Sequence, residues 1–171
     1  DDTEQIKKNG QWNRFAIGNY IWLDTNIAQG KPNMYYYYFN PEIPGDDAGS
    51  FHSSDLWFAF ETLAKCWRPF QGKHYDLARK MCNYWTNFAK TGDPNGPDND
   101  GTPMPEWRIT SAGDVHPMYF GDDAAMDESP RTDLDNFLVD FYSKKLANKE
   151  RITFGRAVGR RADGSLVMKM G

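Results

Sequence analysis

No run of about 18 apolar residues occurs anywhere in the 171-residue chain, which excludes a helix that spans a bilayer. A dominant charge of one sign is missing too. Lys plus Arg number 20 against 24 for Asp plus Glu, a formal net charge of −4. That excludes a general electrostatic attraction to nucleic acid or to an anionic membrane. Cysteine is scarce: Cys66 and Cys82 stand alone, with no CxxC pair. A disulfide between them stays open, and two buried free thiols are the ordinary expectation. The chain lacks an initial Met and a basic-then-apolar leader, so it is expected to begin inside a longer polypeptide. Motifs for phosphate and metal are also missing. There is no HExxH, no Cys/His pair at ligand spacing and no glycine-rich phosphate cradle, so neither a metal nor a cofactor is expected.

Aliphatic mass is thin as well. Leu, Ile, Val and Phe make up about 18% of the chain, a share that marks disorder when charge is high. Charge is low here, and 6 Trp, 9 Tyr and 11 Phe supply the missing bulk. A folded core built largely from rings follows.

Periodicity orders the chain. Trp12, Phe15, Ala16, Tyr20, Leu23 and Ile27 recur at three- and four-residue steps and predict a helix, stopped by Gly30-Lys31-Pro32. Met34 to Phe39 is an unbroken apolar and aromatic run between prolines, too short for a helix. It predicts a strand buried on both faces, as in an α/β architecture. A loop from Asn40 to Ser50 leads to a helix from about Asp55 to Leu63, striped by Leu56, Phe60 and Leu63 and capped by Ser53 or Ser54. A longer helix, Lys73 to Lys90, carries Leu77, Met81, Tyr84 and Phe88 on one face and stops at Gly92 and Pro94. Trp107-Arg108-Ile109 and Met118-Tyr119-Phe120 read as short extended pieces. A last helix, Thr132 to Lys149, has Leu134, Phe137, Leu138, Phe141, Tyr142 and Leu146 as its stripe. Residues 150–171 are basic and form a tail or a small hairpin turned at Asp163-Gly164.

Three histidines carry the options for proton chemistry. His74 reads as a solvated residue at a helix start and His116 as a turn residue before Pro117. His52 differs: it lies in a glycine-bounded loop between a strand and a helix, where catalytic groups gather in open α/β sheets. No GxSxG elbow accompanies it, so none of the seven serines reads as its nucleophile. Ser53 and Ser54 read as helix caps. A route through Cys66 or Cys82 is weak, since both sit at helix-packing positions. The loop Gly96 to Gly101 brushes a calcium-loop pattern but has Gly96 and Trp107 where acidic ligands belong.

Two stretches go further. Gly49-Ser50-Phe51-His52-Ser53-Ser54-Asp55-Leu56-Trp57-Phe58, after an aromatic strand, resembles the histidine segment of type-B carboxylesterases, the family of para-nitrobenzyl esterases and of cholinesterase-like proteins. Tyr84-Trp85-Thr86-Asn87-Phe88-Ala89-Lys90-Thr91-Gly92-Asp93-Pro94-Asn95-Gly96 resembles that family's downstream helix and loop. The resemblance runs over about residues 9–149. It implies the C-terminal portion of an α/β-hydrolase fold, helices packed on one or a few late strands, in a domain covering 1–149 with 150–171 unassigned. It implies a serine esterase acting on small carboxylic esters through an acyl-enzyme, with His52 as the triad histidine and Asp55 as a supporting carboxylate. The serine, the oxyanion glycines and the triad acid lie upstream in the family, so the chain alone is expected to be inactive. Its expected partners are the N-terminal part of the same protein, or a second copy through the aromatic strand. The alternative is a relative that has lost catalysis and serves in binding or adhesion, against which retention of His52 argues.

Overall fold

The computed structural model describes residues 14–31, 34–112, 114–127, 129 and 131–148, with the backbone of 156–160 and 166–169. They fall into two compact units, Asp1–Thr25 with Arg131–Gly171 on one hand and Asn26–Pro130 on the other. No described helix is long and apolar enough to cross a membrane.

The first unit holds most of helix α1, Arg14–Ala28. Ile17, Tyr20 and Leu23 are its buried positions, three residues apart on one face as the periodicity requires. Phe15 points to solvent, contrary to its place in the predicted stripe, and Trp12 lies outside the described residues. Asp24 on α1 takes both guanidinium nitrogens of Arg131, each at 2.9 Å, and the same guanidinium lies over the Tyr20 ring. A bidentate pair of this kind fixes orientation as well as distance. Thr132 then caps helix α4, Asp133–Ala147: its hydroxyl accepts from the Asp135 N–H, and the Asp135 carboxylate accepts from the Thr132 N–H. The expected buried stripe of α4 is not found. Val139 is its buried residue, whereas Leu134, Phe137, Phe141 and Leu146 are exposed, Phe137 by 63%. On that face the Phe137 and Phe141 rings stack on each other and the Lys145 ammonium lies over Phe141. Farther on, strands β4 (Arg156–Arg160) and β5 (Leu166–Lys169) pair antiparallel. The Asp163-Gly164 position lies outside the described residues.

The second unit is built on a sheet of three short strands, β1 (Tyr37–Phe39), β2 (Met118–Phe120) and β3 (Ala124–Met126), in that spatial order. β1 runs parallel to β2, and β2 turns back into β3. The predicted strand at Met34–Phe39 thus shortens to three residues. Its start is extended but satisfied by loops: the Thr110 N–H donates to the Met34 carbonyl and the Met118 N–H to that of Tyr36. The expectation of two buried faces is corrected as well. Tyr37 and Phe39 share the face that meets Trp85 and Phe58, while Tyr38 stacks on Tyr119 on the other, partly exposed face. Alternation along the strand sends Tyr37 and Tyr38 to opposite faces, and each stays exposed over more than a third of its surface.

The covered face carries α2 (Asp55–Ala59), a 3-10 turn at Leu63–Lys65, and α3 (Gly72–Thr91). α2 ends earlier than predicted, because Glu61 adopts φ 49° and turns the chain into the 3-10 segment. Its buried residues are Phe58 and Ala59, joined by Leu63, whereas Leu56 and Phe60 of the predicted stripe are exposed. On α3 the predicted Leu77, Met81 and Tyr84 are buried; Phe88 is not. Gly92 closes this helix at φ 77°, a left-handed turn that glycine adopts without a Cβ penalty. His74 corrects its surface reading outright. It is buried, its Nδ1 accepts the Gln71 N–H at 2.9 Å, and its Nε2 lies 3.1 Å from the Glu42 carbonyl. The backbone donor makes Nδ1 the acceptor, which leaves Nε2 to face the Glu42 carbonyl as a donor. His74 is a fastener between α3 and the loop after β1.

Trp107 ties helix to sheet. Its ring packs edge-on against Tyr35, Tyr84 and Phe120, and its indole N–H donates to the Tyr36 carbonyl at 3.1 Å. Asn95 grips its backbone in both directions, accepting the Trp107 N–H at 2.7 Å and donating to its carbonyl at 2.9 Å. Trp107→Ala is expected to cost about 3–5 kcal/mol of unfolding free energy by urea titration, and Asn95→Ala about 1–3. A loss below about 1 kcal/mol in Trp107→Ala would remove this residue from the core.

Around this cluster three phenols resist ionisation. Burial, then the Asp93 charge, raises Tyr35; burial, then the Asp123 and Asp98 charges, raises Tyr84. Burial and then the Asp55 charge and hydrogen bond push Tyr37 up to about 12. A raised folded-state pKa keeps its stability below the ordinary value and loses it as pH climbs through the folded value. Absorbance at 295 nm should therefore show tyrosines that titrate only well above pH 10. Thermal melts should fall between about pH 10 and 12, and Tyr37→Phe should remove one late phenol and soften that fall. Simple titration of every tyrosine near pH 10 would contradict the packing described.

Candidate active site

The candidate site is the connection from β1 to α2. The chain leaves Phe39, runs through the loop 40–50 and tightens into a turn at 51–54. The Ser50 hydroxyl donates to the Pro41 carbonyl at 2.7 Å. The Ser54 hydroxyl donates to the Phe51 carbonyl at 2.7 Å and accepts the Phe51 N–H at 3.2 Å, while the Ser54 N–H donates to that same carbonyl. His52 rides at the tip of this closed turn, exposed to solvent. Among the described residues, no hydrogen bond or ion pair occupies its ring.

Ser53, next to it, has φ 70°. A non-glycine residue there stores about 1–3 kcal/mol of strain, and such strain persists only where surroundings over-determine it. The capping expectation is corrected at this point. Ser54 stands at the N-cap of α2 by position but makes no side-chain cap, because its hydroxyl is spent on closing the turn. Asp55 does open the helix, where its charge suits the positive end. Its carboxylate accepts from the Tyr37 hydroxyl at 3.3 Å, which links it to β1 rather than to His52.

The residue that the sequence did not reveal is Arg68. In the sequence it lies between two predicted helices, before Pro69, in no motif. In the structure its side chain is 6% exposed and grips the loop ahead of His52. Nη1 donates to the Pro44 carbonyl at 2.9 Å and to Asp46 Oδ1 at 2.8 Å, and Nη2 to Asp46 Oδ2 at 2.7 Å. The guanidinium also faces the Trp67, Phe51 and Trp57 rings at 4.9, 5.2 and 6.0 Å. Hydrogen bonding to Arg68, aided by the Ala48 N–H, holds the Asp46 carboxyl below the usual carboxylate range. Gly45 is required inside this grip: its φ is 108°, and a Cβ would lie 3.1 Å from the Trp67 ring. The only advance signal was an arginine embedded in aromatics, Trp67-Arg68-Pro69-Phe70, after a loop with two adjacent aspartates.

The other candidates separate from this place. His116 lies half-buried, with Nδ1 3.2 Å from the Asp127 carbonyl. Cys66 and Cys82 are free and half-buried rather than buried, and burial raises the Cys82 thiol. Asp98 of the polar loop is buried and takes Arg79 and the Asn83 amide, which commits its carboxylate to holding the loop on α3. Among the described residues no group of three or more His, Cys, Asp or Glu is arranged to hold a metal.

Comparison with known proteins locates the chain. The family model described as "Carboxylesterase family" matches residues 13–138. Carboxylesterase 5A of Felis catus is 37% identical over 101 residues, covering 53% of this chain and 18% of that protein. Carboxylesterase 5A of Canis lupus familiaris is 38% identical over 101 residues, covering 53% and 17%. The chain thus spans under a fifth of the length of these relatives. Among solved structures, an esterase from anaerobic Clostridium hathewayi, described as able to hydrolyse aliphatic aromatic polyesters, superposes with a TM-score of 0.52 at 24% identity. The match covers 71% of this chain and 23% of that one, and shows a shared α/β-hydrolase fold. A helix-rich α/β unit with a short sheet and a histidine turn after its first strand fits that fold. With the family model spanning most of its length, the chain belongs to the carboxylesterase family.

Proposed function

We propose that this chain supplies the general base of a serine carboxylesterase, with His52 in that role, and that the serine and the triad acid come from elsewhere in the protein. The observation that carries the reading is the placement of His52. It is a solvent-facing imidazole on a hydrogen-bonded turn in the connection from β1 to α2, its ring uncommitted among the described residues. A base has to reach its proton, and geometry comes before pKa.

The chemistry runs in two halves. His52 takes the serine proton as the serine oxygen bonds to the acyl carbon; collapse breaks the ester C–O bond, and His52 returns the proton to the leaving alcohol. It then takes a proton from water, hydroxide equivalent adds to the acyl carbon, and the proton goes back to the serine as the acid departs. Asp55 supports this from behind. With Tyr37 it pins the start of α2 to β1, and so fixes the turn from its far side.

In this reading residues 1–149 are the C-terminal region of the hydrolase domain, and 150–171 lie outside it. The absent part of the domain seats against the open edge of β1 and the Tyr38/Tyr119 face of the sheet. What supports that is the half-exposed aromatic surface there and the single described neighbour of β1. Self-association through the same edge is the outcome when that part is missing.

Tested on a chromogenic short-chain ester, the 171-residue chain should show no turnover above buffer. The longer polypeptide that carries the serine and the acid should turn over, and its His52→Ala variant should lose at least about a thousandfold in kcat. Turnover by the 171-residue chain that disappears in His52→Ala would place a nucleophile within it and overturn the incomplete triad.

A further inference from the structure

We propose that Arg68 is a positioning residue for His52: its guanidinium clamps the segment before the histidine to the helix after it. The proposal rests on the esterase reading and adds to it a residue sixteen positions downstream that touches no reacting atom.

Two sets of contacts converge on one planar group. Ahead of His52, Arg68 takes the Pro44 carbonyl and both Asp46 oxygens, which fixes the loop in position and in rotation. Immediately beside His52 it faces Phe51, and after His52 it faces Trp57 of α2. Phe51 and Trp57 also meet edge to face at 5.6 Å. The histidine turn is therefore held at both ends by the same cation.

The turn needs such a clamp. Ser53 sits at φ 70°, one residue from the imidazole, and α2 is only five residues long with no side-chain cap. A short, uncapped helix and a strained turn relax unless something outside them holds both. The hydrogen bonds of Arg68 all fall on the loop, at Pro44 and Asp46, and of the rings it faces Trp57 packs against the core cluster. Lysine cannot replace it. A point charge on a flexible stem does not take two carboxylate oxygens and a carbonyl at once, nor lie flat against rings.

The experiment uses the full esterase that contains this chain, with Arg68→Lys, Asp46→Asn, the double variant and His52→Ala. Rates are normalised to active sites counted by acyl-enzyme titration, below the melting temperature of every variant. Arg68→Lys should lower kcat per active site by about 10- to 100-fold, the loss expected for misplacing a catalytic group by about 1 Å. KM should stay within about twofold, since no substrate contact is removed. Asp46→Asn keeps the ring contacts and serves if Arg68→Lys fails to fold; it should lower kcat in the same direction. The double variant should lose no more than the worse single one, because both act through one pair. In the 171-residue chain, amide exchange at 44–54 should quicken in Arg68→Lys while that of α3 is unchanged. Unchanged kcat per active site in Arg68→Lys and Asp46→Asn, beside an inactive His52→Ala, overturns this proposal alone. Full turnover in His52→Ala overturns the esterase reading, and this proposal with it.

Discussion

The seat of Trp107 between sheet and helix is the constraint on which the larger unit depends. A unit with so few aliphatic residues cannot rely on interlocking branched side chains. It stacks rings instead, and rings need fixed angles to pack without voids. Trp107 meets that need from a segment with no regular structure of its own. Asn95 fixes its backbone, the Tyr36 carbonyl fixes its indole, and Tyr84 and Phe120 close on its faces. Each hydrogen bond is worth only about 1 kcal/mol net, but losing one would strand a buried polar group and cost more than the bond contributes. The direction of β1, and hence the point at which the chain leaves it for His52, is set here.

From that point the order of the site becomes a matter of opposing tendencies. The turn that carries His52 contains a left-handed serine and is followed by a helix barely longer than one turn. Left alone, it would sample several conformers. Ser54 closes the turn from within, Tyr37 reaches Asp55 from the strand, and Arg68 holds the approach. His74 adds a fourth tie, through Nε2 to the Glu42 carbonyl in the same loop. The imidazole at the tip stays open to solvent while its supports are all committed. The proposed general base gains from that division: its ring is free and its position is not.

Much of this was legible in the residues. The period of α1 and α3, the glycine stop at Gly92 and the start of the last helix near Thr132 follow from spacing and backbone preference, and they appear where spacing puts them. Legibility failed where a side chain's fate depends on what packs against it. Tyr35 to Tyr38 look uniformly buried as a string, yet Tyr37 and Tyr38, on opposite faces, both stay exposed over more than a third of their surface. The stripe of α4 is sound helical patterning, but the described residues of its unit bury only Val139. His74 looked like a surface residue because its neighbours are charged. Its burial comes from a carbonyl 32 residues away, which no local pattern announces. At the candidate site, His52 is proposed from its loop. Arg68 is not, since its partners come together only when the loop folds back over it.

The most specific motif in the chain, Tyr84 to Gly96, holds no reacting group. Its residues hold Trp107: Tyr84 packs on the ring and donates to the Pro105 carbonyl two residues before it, and Asn95 grips the tryptophan backbone. Asp93 braces Asn95, accepting its backbone N–H and its side-chain amide, both at 2.9 Å. A fold-defining clamp tolerates little change because several partners must fit it together, whereas a proton-transferring imidazole needs one residue type at one exposed tip. Family membership is therefore written in the scaffold and the proposed chemistry in the turn, and the two are read by different arguments. They meet at β1, where the tryptophan holds one end of the strand and the histidine follows from the other.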